Sequence, residues 1–234
     1  MSSGITAIIL AAGKSRRMNS KVQKQYMLIR EKPVLYYSLK AFSESRTDDI
    51  VVVTGEDERA WVKKEIVEKY GFDKVRAVVA GGKERHDSTY AGLMACAGSS
   101  YVLIHDAARP MIRREVIGRV IEEVVHYQAA AVGVPARDTI KITDSEGYVA
   151  ETPPREKLWI VQTPQAFSYE RICRAYERMF AGEAGQRQIT DDAMVMEICG
   201  DTKVKMVSGD SLNIKITTEE DIVLAESILK QAEI

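Results

Sequence analysis

Apolar and polar positions along the chain fall into blocks whose period changes from one block to the next. Short runs rich in Val, Ile and Ala occupy 5–10, 50–54, 75–79, 101–105 and 130–135. They predict strands, because β-branched side chains pack well on a pleated surface. Between them, 33–43, 57–70, 84–97 and 113–127 carry apolar residues at three- and four-residue spacing, which predicts amphipathic helices. Pro33 suits a first helical position, where its missing N–H is no loss. Strand and helix in alternation predict an α/β fold: a Rossmann-like, mostly parallel sheet with helices on both faces and right-handed crossovers. The run ITAIIL at 5–10 is apolar at nearly every position, as a strand covered on both faces must be.

The rhythm breaks after Pro135. Strand-like pieces at 139–143, 148–150 and 158–162 are separated by polar turns at 144–147 and 153–157. These read as hairpins of a protruding β-arm, over 136–160, rather than as further β-α units. Helical pattern returns at 168–180 and 191–199, strands follow at 203–207 and 213–216, and a last helix covers 218–232. Thr217, Thr218, Glu219, Glu220 and Asp221 offer overlapping capping boxes for that helix. Without a repeat, a low-complexity tract or a Pro/Gly linker, residues 1–234 are expected to form a single domain carrying one inserted arm.

Composition narrows the function classes. The 234 residues are 45% hydrophobic and 29% charged, with 33 Lys+Arg against 34 Asp+Glu and a net charge of −1. A balanced charge argues against a general nucleic-acid or membrane-surface binder, both of which need a basic excess. No apolar run approaches ~18 residues, so no membrane span is expected. MSSGITAIIL has neither a basic n-region nor a small-residue cleavage site, so no secretory signal is expected. Cys96, Cys173 and Cys199 are odd in number and far apart, which fits a reducing, cytoplasmic location better than a disulfide framework. Together with His86, His105 and His126 they share no zinc-ligand spacing.

In an open α/β sheet the ligand sits at the carboxyl ends of the strands, and three polar segments fall there. The first, AAGKSRRMNSKVQKQY, follows the first strand. Residues 11–30 hold the basic side chains Lys14, Arg16, Arg17, Lys21, Lys24 and Arg30 and no acidic one. Small residues Ala11, Ala12 and Gly13 let backbone N–H groups approach a ligand, and the cations add charge, as a polyphosphate requires. An isolated run of this kind reads as a solvated basic loop; its place after a buried strand favours phosphate. It is not a Walker A, since Ile8 stands where the first glycine must be, nor a dinucleotide fingerprint, since Gly13 stands alone. The second segment, GGKERHDS, offers Gly81, Gly82, Arg85 and Ser88 to a flat base, although a Gly-Gly turn with a capping Asp or Ser is also common structure. In the third, HDAARP, Asp106 ends a strand on the same rim. A carboxylate facing a cationic loop is a usual way to present Mg²⁺ to a nucleoside triphosphate, and a salt bridge to Arg109 or a helix cap is the plainer alternative. His105 reads as a packed residue. Arg137, Asp138, Thr139, Arg155 and Lys215 are polar groups near the arm or near strand ends; of these Arg155 and Lys215 suit an anionic second substrate and plain surface charge equally.

Taken together, these segments resemble the 2-C-methyl-D-erythritol 4-phosphate cytidylyltransferases of the non-mevalonate isoprenoid pathway. The resemblance rests on AAGxxxRM at 11–18, KQY at 24–26, GGxxRxxS at 81–88, HDAARP at 105–110 and VPARDTIK at 134–141. It continues through LWxxQTPQxF at 158–167, ITDD at 189–192 and NIKIT at 213–217 with ED at 220–221. It implies a fold of the nucleotide-diphospho-sugar transferase type, and a reaction in which CTP and a polyol phosphate give the CDP-linked alcohol and pyrophosphate. By the same resemblance Arg17 and Lys24 stabilise charge at the α-phosphate, and Asp106 organises Mg²⁺ or another divalent cation. Ala11, Ala12, Gly13, Gly82, Arg85, Ser88, Asp106 and Ala107 hold the nucleotide, while Asp106, Arg109, Thr139, Arg155 and Lys215 hold the sugar phosphate. The family is dimeric through the arm, so Arg155 is expected to act in trans on its partner. The chain departs from the family pattern at Ser15, where glycine is frequent, at Gln23, where proline is frequent, and at Leu212, where an acid is usual. The chemistry suits such a site: a phosphate oxygen is already ionised at neutral pH, so no general base is needed and positioned cations do the work. Ribitol 5-phosphate as acceptor, a non-catalytic nucleotide-binding module and a P-loop kinase are the competing readings, the last disfavoured by Ile8.

Overall fold

The computed structural model describes residues 4–13 and 22–232, with the backbone alone for 231 and 232. The expectations at Ser15 and Arg17 therefore lie outside the described residues.

Eleven strands and seven α-helices follow one another among the described residues. Strands β1 (Ile5–Leu10), β4 (Asp49–Thr54), β5 (Val75–Ala80), β6 (Tyr101–Asp106), β7 (Ala129–Pro135), β10 (Trp159–Ser168) and β11 (Lys205–Ser208) form one sheet in the order β11-β7-β10-β6-β1-β4-β5. Within it, β1 runs parallel to β4 and β6, β4 to β5, and β7 to β11. Only β10 runs against its neighbours, β6 and β7. Two small hairpins stand apart: β2 (Leu28–Ile29) with β3 (Lys32–Pro33), and β8 (Ile142–Thr143) with β9 (Val149–Glu151).

The expected two-sided burial of the first strand is found. Ala7 and Ile9 face one layer, where α1 (Val34–Ser43), α2 (Arg59–Val62) and α4 (Arg114–Tyr127) bury Leu39, Phe42, Val62, Val120 and Val124. Ile8 faces the other, with Leu93 of α3 (Arg85–Met94), Tyr176 of α5 (Tyr169–Arg178) and Met196 of α6 (Asp192–Cys199). The strand's period of two thus serves two cores at once. Helix α3 approaches β1 unusually closely at Gly92, where a Cβ would come within 2.5 Å of the Ile8 Cγ2. That approach sets the height of Arg85 and Ser88 at the start of the helix. Helix α7 (Glu219–Ala232) closes a third cluster with Ile29, Val34, Met111 and Ile216. Its start is capped by Asp221, whose carboxylate accepts from the backbone N–H groups of Thr217 and Thr218 and from the Thr217 hydroxyl.

Four details differ from the sequence pattern, each for a physical reason. Pro33 pairs with Leu28 in a hairpin, so its ψ is extended at 147° and α1 starts one residue later. The helix from Arg59 passes into a π turn over Lys63–Glu68. The piece expected at 158–162 is the start of β10, a ten-residue strand that crosses the main sheet rather than an edge of the arm. The segment 213–216 is not a strand: the buried Asn213 donates to the Thr163 carbonyl at 2.9 Å, and Ile216 donates its N–H to Ala108 at 2.8 Å, so its partners lie outside a ladder. The segment between the paired Pro135 and Trp159 carries the β8–β9 hairpin, and residues 139–152 are exposed along their whole length. Among the described residues no helix is long and apolar enough to cross a membrane.

Candidate active site

Because β1, β4, β5 and β6 are parallel, their carboxyl ends open on one rim. A cleft of about 290 Å³ lies there, lined by Ala11, Ala12 and Gly13 after β1, Lys24, Gly82 after β5, Arg85 and Ser88 of α3, Asp106 of β6 and Lys215. Nine positions singled out in the sequence thus meet in one place. The wall made by Gly81, Gly82 and Ser88 is tightly built. A Cβ on Gly81 would fall 2.6 Å from both the Ala12 Cβ and the Ser88 Oγ. The Ser88 hydroxyl accepts from the Gly82 N–H at 3.1 Å and donates to the Glu84 carbonyl at 3.2 Å.

Lys24 sits at the rim on a short 3-10 turn, Lys24–Tyr26. The turn is stitched to the loop after β1 by Gln25, buried, whose amide donates to the carbonyls of Ala11 (2.6 Å) and Gly13 (3.3 Å).

A second pocket of about 210 Å³ adjoins the first. Arg109, Val161, Gln162, Thr163, Gln165, Thr190 and Asp191 line it, and Arg85, Asp106 and Lys215 line both. The shared wall is an ion cluster. Lys215 Nζ donates to Asp106 Oδ2 at 2.6 Å and Arg85 Nε to Oδ1 at 3.2 Å, while Arg85 Nη2 reaches Asp192 Oδ2 at 2.8 Å. Asp192 is wholly buried and also accepts from the Tyr176 hydroxyl at 2.6 Å. Burial alone would push the Asp106 carboxyl up, but the charges of Arg85 and Lys215 outweigh it and hold the group well below the usual carboxylate range. Burial lowers the Arg109 guanidinium, although Asp106 opposes the change. The guanidinium is held by the carbonyls of Asn213 (2.8 Å) and Val161 (3.4 Å), which aim it along the second pocket.

The loop 106–109 is fixed from beneath by a neutral histidine. His105 Nε2 must donate to the Arg109 carbonyl at 3.2 Å, so Nδ1 accepts from the Thr163 hydroxyl at 3.0 Å, which in turn accepts from the Asp106 N–H at 3.1 Å. Burial brings the imidazole down to about 4, so it stays uncharged at neutral pH. His105 is the packed residue its position suggested.

The remaining expectations are placed differently. Ala107 is fully buried and donates its N–H to Leu10, so it supports the cleft from behind without lining it. Thr139 and Arg155 lie on the exposed arm and line neither pocket of their own chain, and Arg155 donates to the Arg137 carbonyl at 3.0 Å. Sequence patterning assigned no role to Gln25, Thr163, Gln165, Tyr176, Asp191 or Asp192. The available signal was polar residues, Gln162, Thr163 and Gln165, inside what is otherwise an apolar strand.

Comparison with known proteins decides between the nucleotide-binding possibilities such a rim allows. A family model described as IspD, 2-C-methyl-D-erythritol 4-phosphate cytidylyltransferase, matches residues 5–231. The chain belongs to this family. It is 48% identical over 227 residues to a 2-C-methyl-D-erythritol 4-phosphate cytidylyltransferase of Lachnoclostridium phytofermentans, covering 97% of each chain. A relative of the same description from Lachnospira eligens is 45% identical over 226 residues, 96% of this chain and 99% of that one. Among solved structures, the 4-diphosphocytidyl-2C-methyl-D-erythritol synthase of Anaerococcus prevotii superposes with a TM-score of 0.85 at 35% identity, covering 97% of this chain and 96% of that one. This member of the cytidylyltransferase family thus has, on one rim, a cleft and beside it a smaller pocket lined by Arg85, Arg109 and Lys215 together with Asp106 and Asp191.

Proposed function

We propose that the rim carries out the family's reaction, cytidylyl transfer from CTP to 2-C-methyl-D-erythritol 4-phosphate in isoprenoid-precursor biosynthesis, with one pocket for each substrate. The observation that carries the reading is the shared wall of Arg85, Asp106 and Lys215 between the two pockets. The cytidine fits the larger cleft against Ala11, Ala12, Gly13, Gly82, Arg85 and Ser88. The acceptor's phosphate fits the smaller pocket, where Arg109 and Lys215 supply charge. An ionised phosphate oxygen of the acceptor attacks the CTP α-phosphorus, forming the new P–O bond. The bond to the β-phosphate bridging oxygen breaks, and pyrophosphate leaves with the electron pair. No proton moves, so no general base is needed, and neutral His105 stays out of the chemistry. Lys24 and, by the family resemblance, Arg17 offset charge on the crowded α-phosphate. Removing such a positioned donor costs on the order of 10²–10³ in turnover.

Whether the residues fit a divalent cation rests on Asp106. Its carboxylate is ionised and borders both pockets, and each oxygen uses one lone pair on Arg85 or Lys215 and keeps another. Among the described residues no group of three or more His, Cys, Asp and Glu could hold a metal without help. One carboxylate completed by substrate phosphates and water is how Mg²⁺ is usually held, so the residues fit. Asp106 would hold the ion, which when bound would neutralise phosphate charge and orient the triphosphate.

The dimer and the location are part of the same proposal. The arm exposes Ile142 (46%), Tyr148 (70%) and Val149 (58%), apolar surface suited to a second copy, which would carry Arg155 to the partner's second pocket. Three buried, unpaired cysteines suit the reducing cytoplasm. Pyrophosphate release with CTP and either 2-C-methyl-D-erythritol 4-phosphate or ribitol 5-phosphate tests the acceptor; turnover with ribitol phosphate alone would overturn it. Mixing Arg155→Ala with Lys24→Ala chains tests the sharing: activity should recover in mixed dimers, and no recovery removes Arg155 from the partner's site.

A further inference from the structure

The turn that carries Lys24 is held from two sides, and only one side is the loop after β1. On the other side stands Glu58, at the end of a short 3-10 turn (Glu56–Glu58) that follows β4. Its Oε2 accepts from the Gly55 N–H at 3.1 Å, the Thr54 hydroxyl at 3.0 Å and the Tyr26 hydroxyl at 2.8 Å. Its Oε1 accepts from the side-chain amide of Gln23. One carboxylate therefore grips the residues at positions 23 and 26, bracketing Lys24. The Tyr26 ring is packed edge-on against Trp61 at 5.0 Å, and its hydroxyl also meets Thr54. Gln23 in turn accepts from the buried Gln25, so both glutamines belong to the same network.

We propose that Glu58 is a positioning residue for Lys24, acting through Gln23 and Tyr26 to fix the turn against the end of β4. The proposal rests on the reading of Lys24 as a catalytic cation. A lysine tip is carried on four rotatable carbons, so its place at the α-phosphate depends on the backbone beneath it. The turn has only three residues, and Glu58 is the group that ties both of its flanks, Gln23 and Tyr26, to the end of β4. The family resemblance has proline frequent at the position of Gln23. Gln23 has φ −66° and ψ 141°, the φ a proline ring imposes, with the side-chain bond to Glu58 in place of the ring.

The test is steady-state pyrophosphate release with the full-length chain, reading kcat and both KM values beside the melting temperature. The double variant Gln23→Ala/Tyr26→Phe cuts both bonds to Glu58 while leaving Glu58 on its own Gly55 and Thr54 partners and the Tyr26 ring on Trp61. It should lower kcat by on the order of 10- to 100-fold, the loss expected of a misplaced reactive group, with each KM within about threefold. Glu58→Ala should lose as much, and Glu58→Gln, which keeps an acceptor for Tyr26, should recover part of it. Gln23→Pro introduced into Glu58→Ala should also restore turnover, because the ring supplies the lost φ restraint; a residue that merely held the fold would not be rescued this way. A kcat within twofold of the parent in the double variant overturns the proposal, as does a loss confined to KM. Lys24→Ala separates the two claims: parental turnover there refutes the role of Lys24, whereas an inactive Lys24→Ala beside a fully active double variant refutes Glu58 alone.

Discussion

Replacing Asp192 by alanine probes the wall between the two pockets at its least accessible point. The carboxylate is 0% exposed and receives two bonds, from Arg85 at 2.8 Å and from Tyr176 at 2.6 Å. Tyr176 is also 0% exposed, so its hydroxyl would have no water to turn to and only the Thr89 hydroxyl beside it, and a buried donor left without its strong acceptor costs about 1–3 kcal/mol. Arg85 is better placed: its side chain is 30% exposed and it keeps Asp106. The loss on that side belongs at the lower end of the roughly 1.5–3 kcal/mol typical of a hydrogen bond to a charged group. Together the change should destabilise the fold by about 3 kcal/mol, which for a chain of this size lowers the melting temperature by about 6–12 °C. Adding Tyr176→Phe removes the orphan and should return about 1–2 kcal/mol. Asp192→Asn should fall between parent and alanine, because the amide oxygen can stay with Arg85 while the tyrosine hydroxyl rotates to accept from the amide N–H. Thermal unfolding of the parent and the three variants reads the series. The CTP KM should rise with the alanine change, since Arg85 lines the nucleotide cleft. A melting temperature within 2 °C of the parent for Asp192→Ala, or no recovery on adding Tyr176→Phe, would refute the reasoning.

Three further outcomes are expected. The imidazole of His105 falls from about 6.5 to about 4 on burial, so the unfolded chain binds the extra proton across that window and stability should drop as pH falls from 6.5 to 4; replacing His105 by Asn should remove that part of the slope in denaturant titrations, and an unchanged slope would show that the histidine is not buried neutral. Gly81→Ala places a methyl 2.6 Å from Ala12 and Ser88, and should raise the CTP KM by about tenfold or more with a smaller change in the acceptor KM, measured by varying each substrate; equal effects on both would argue against a nucleotide wall. Chelation of divalent cations should abolish turnover while leaving the melting temperature of the free protein within about 1 °C, because no cluster of metal-ligating side chains among the described residues ties the fold to an ion; a large fall on chelation would point to a structural metal.

The parts of the fold that could be read from the sequence are those where a period carries the information. Strands at Ile5–Leu10 and Tyr101–Asp106 are apolar runs, and α4 repeats Val116, Val120 and Val124 on one face, so element type and order follow from spacing alone. Asp106 was legible for the same reason, since the carboxyl end of a buried strand has one address in an open sheet. The length of β10 was missed because the strand-like run was ended at 162, although Thr163, Pro164 and Gln165 carry the strand on through the middle of the sheet. Each buried polar group there has a partner far away in sequence: Gln162 on the Asp210 carbonyl, Gln165 on Asp191 and on the Ala193 N–H, and Thr163 on His105. No local window contains both ends of such a bond.

That failure has a chemical cause. A pocket for a phosphate-bearing alcohol needs polar groups at the depth of the sheet, and a β-strand admits them only if every donor and acceptor is satisfied. On the proposed reading the smaller pocket is the acceptor's, and it is built from residues that break the apolar pattern, while the larger cleft, made from loops at strand ends, leaves the pattern intact. The charge arithmetic divides the same way. The net charge of −1 hides the six cations in 11–30, a block visible in any window, whereas the anions that balance Arg85 and Lys215 come from Asp106 and Asp192, strangers in sequence. For a reaction that joins two anions, the concentrated cations point to the class of chemistry, and the dispersed carboxylates hold Arg85 and Lys215 in place. Only the first of these can be read without the fold.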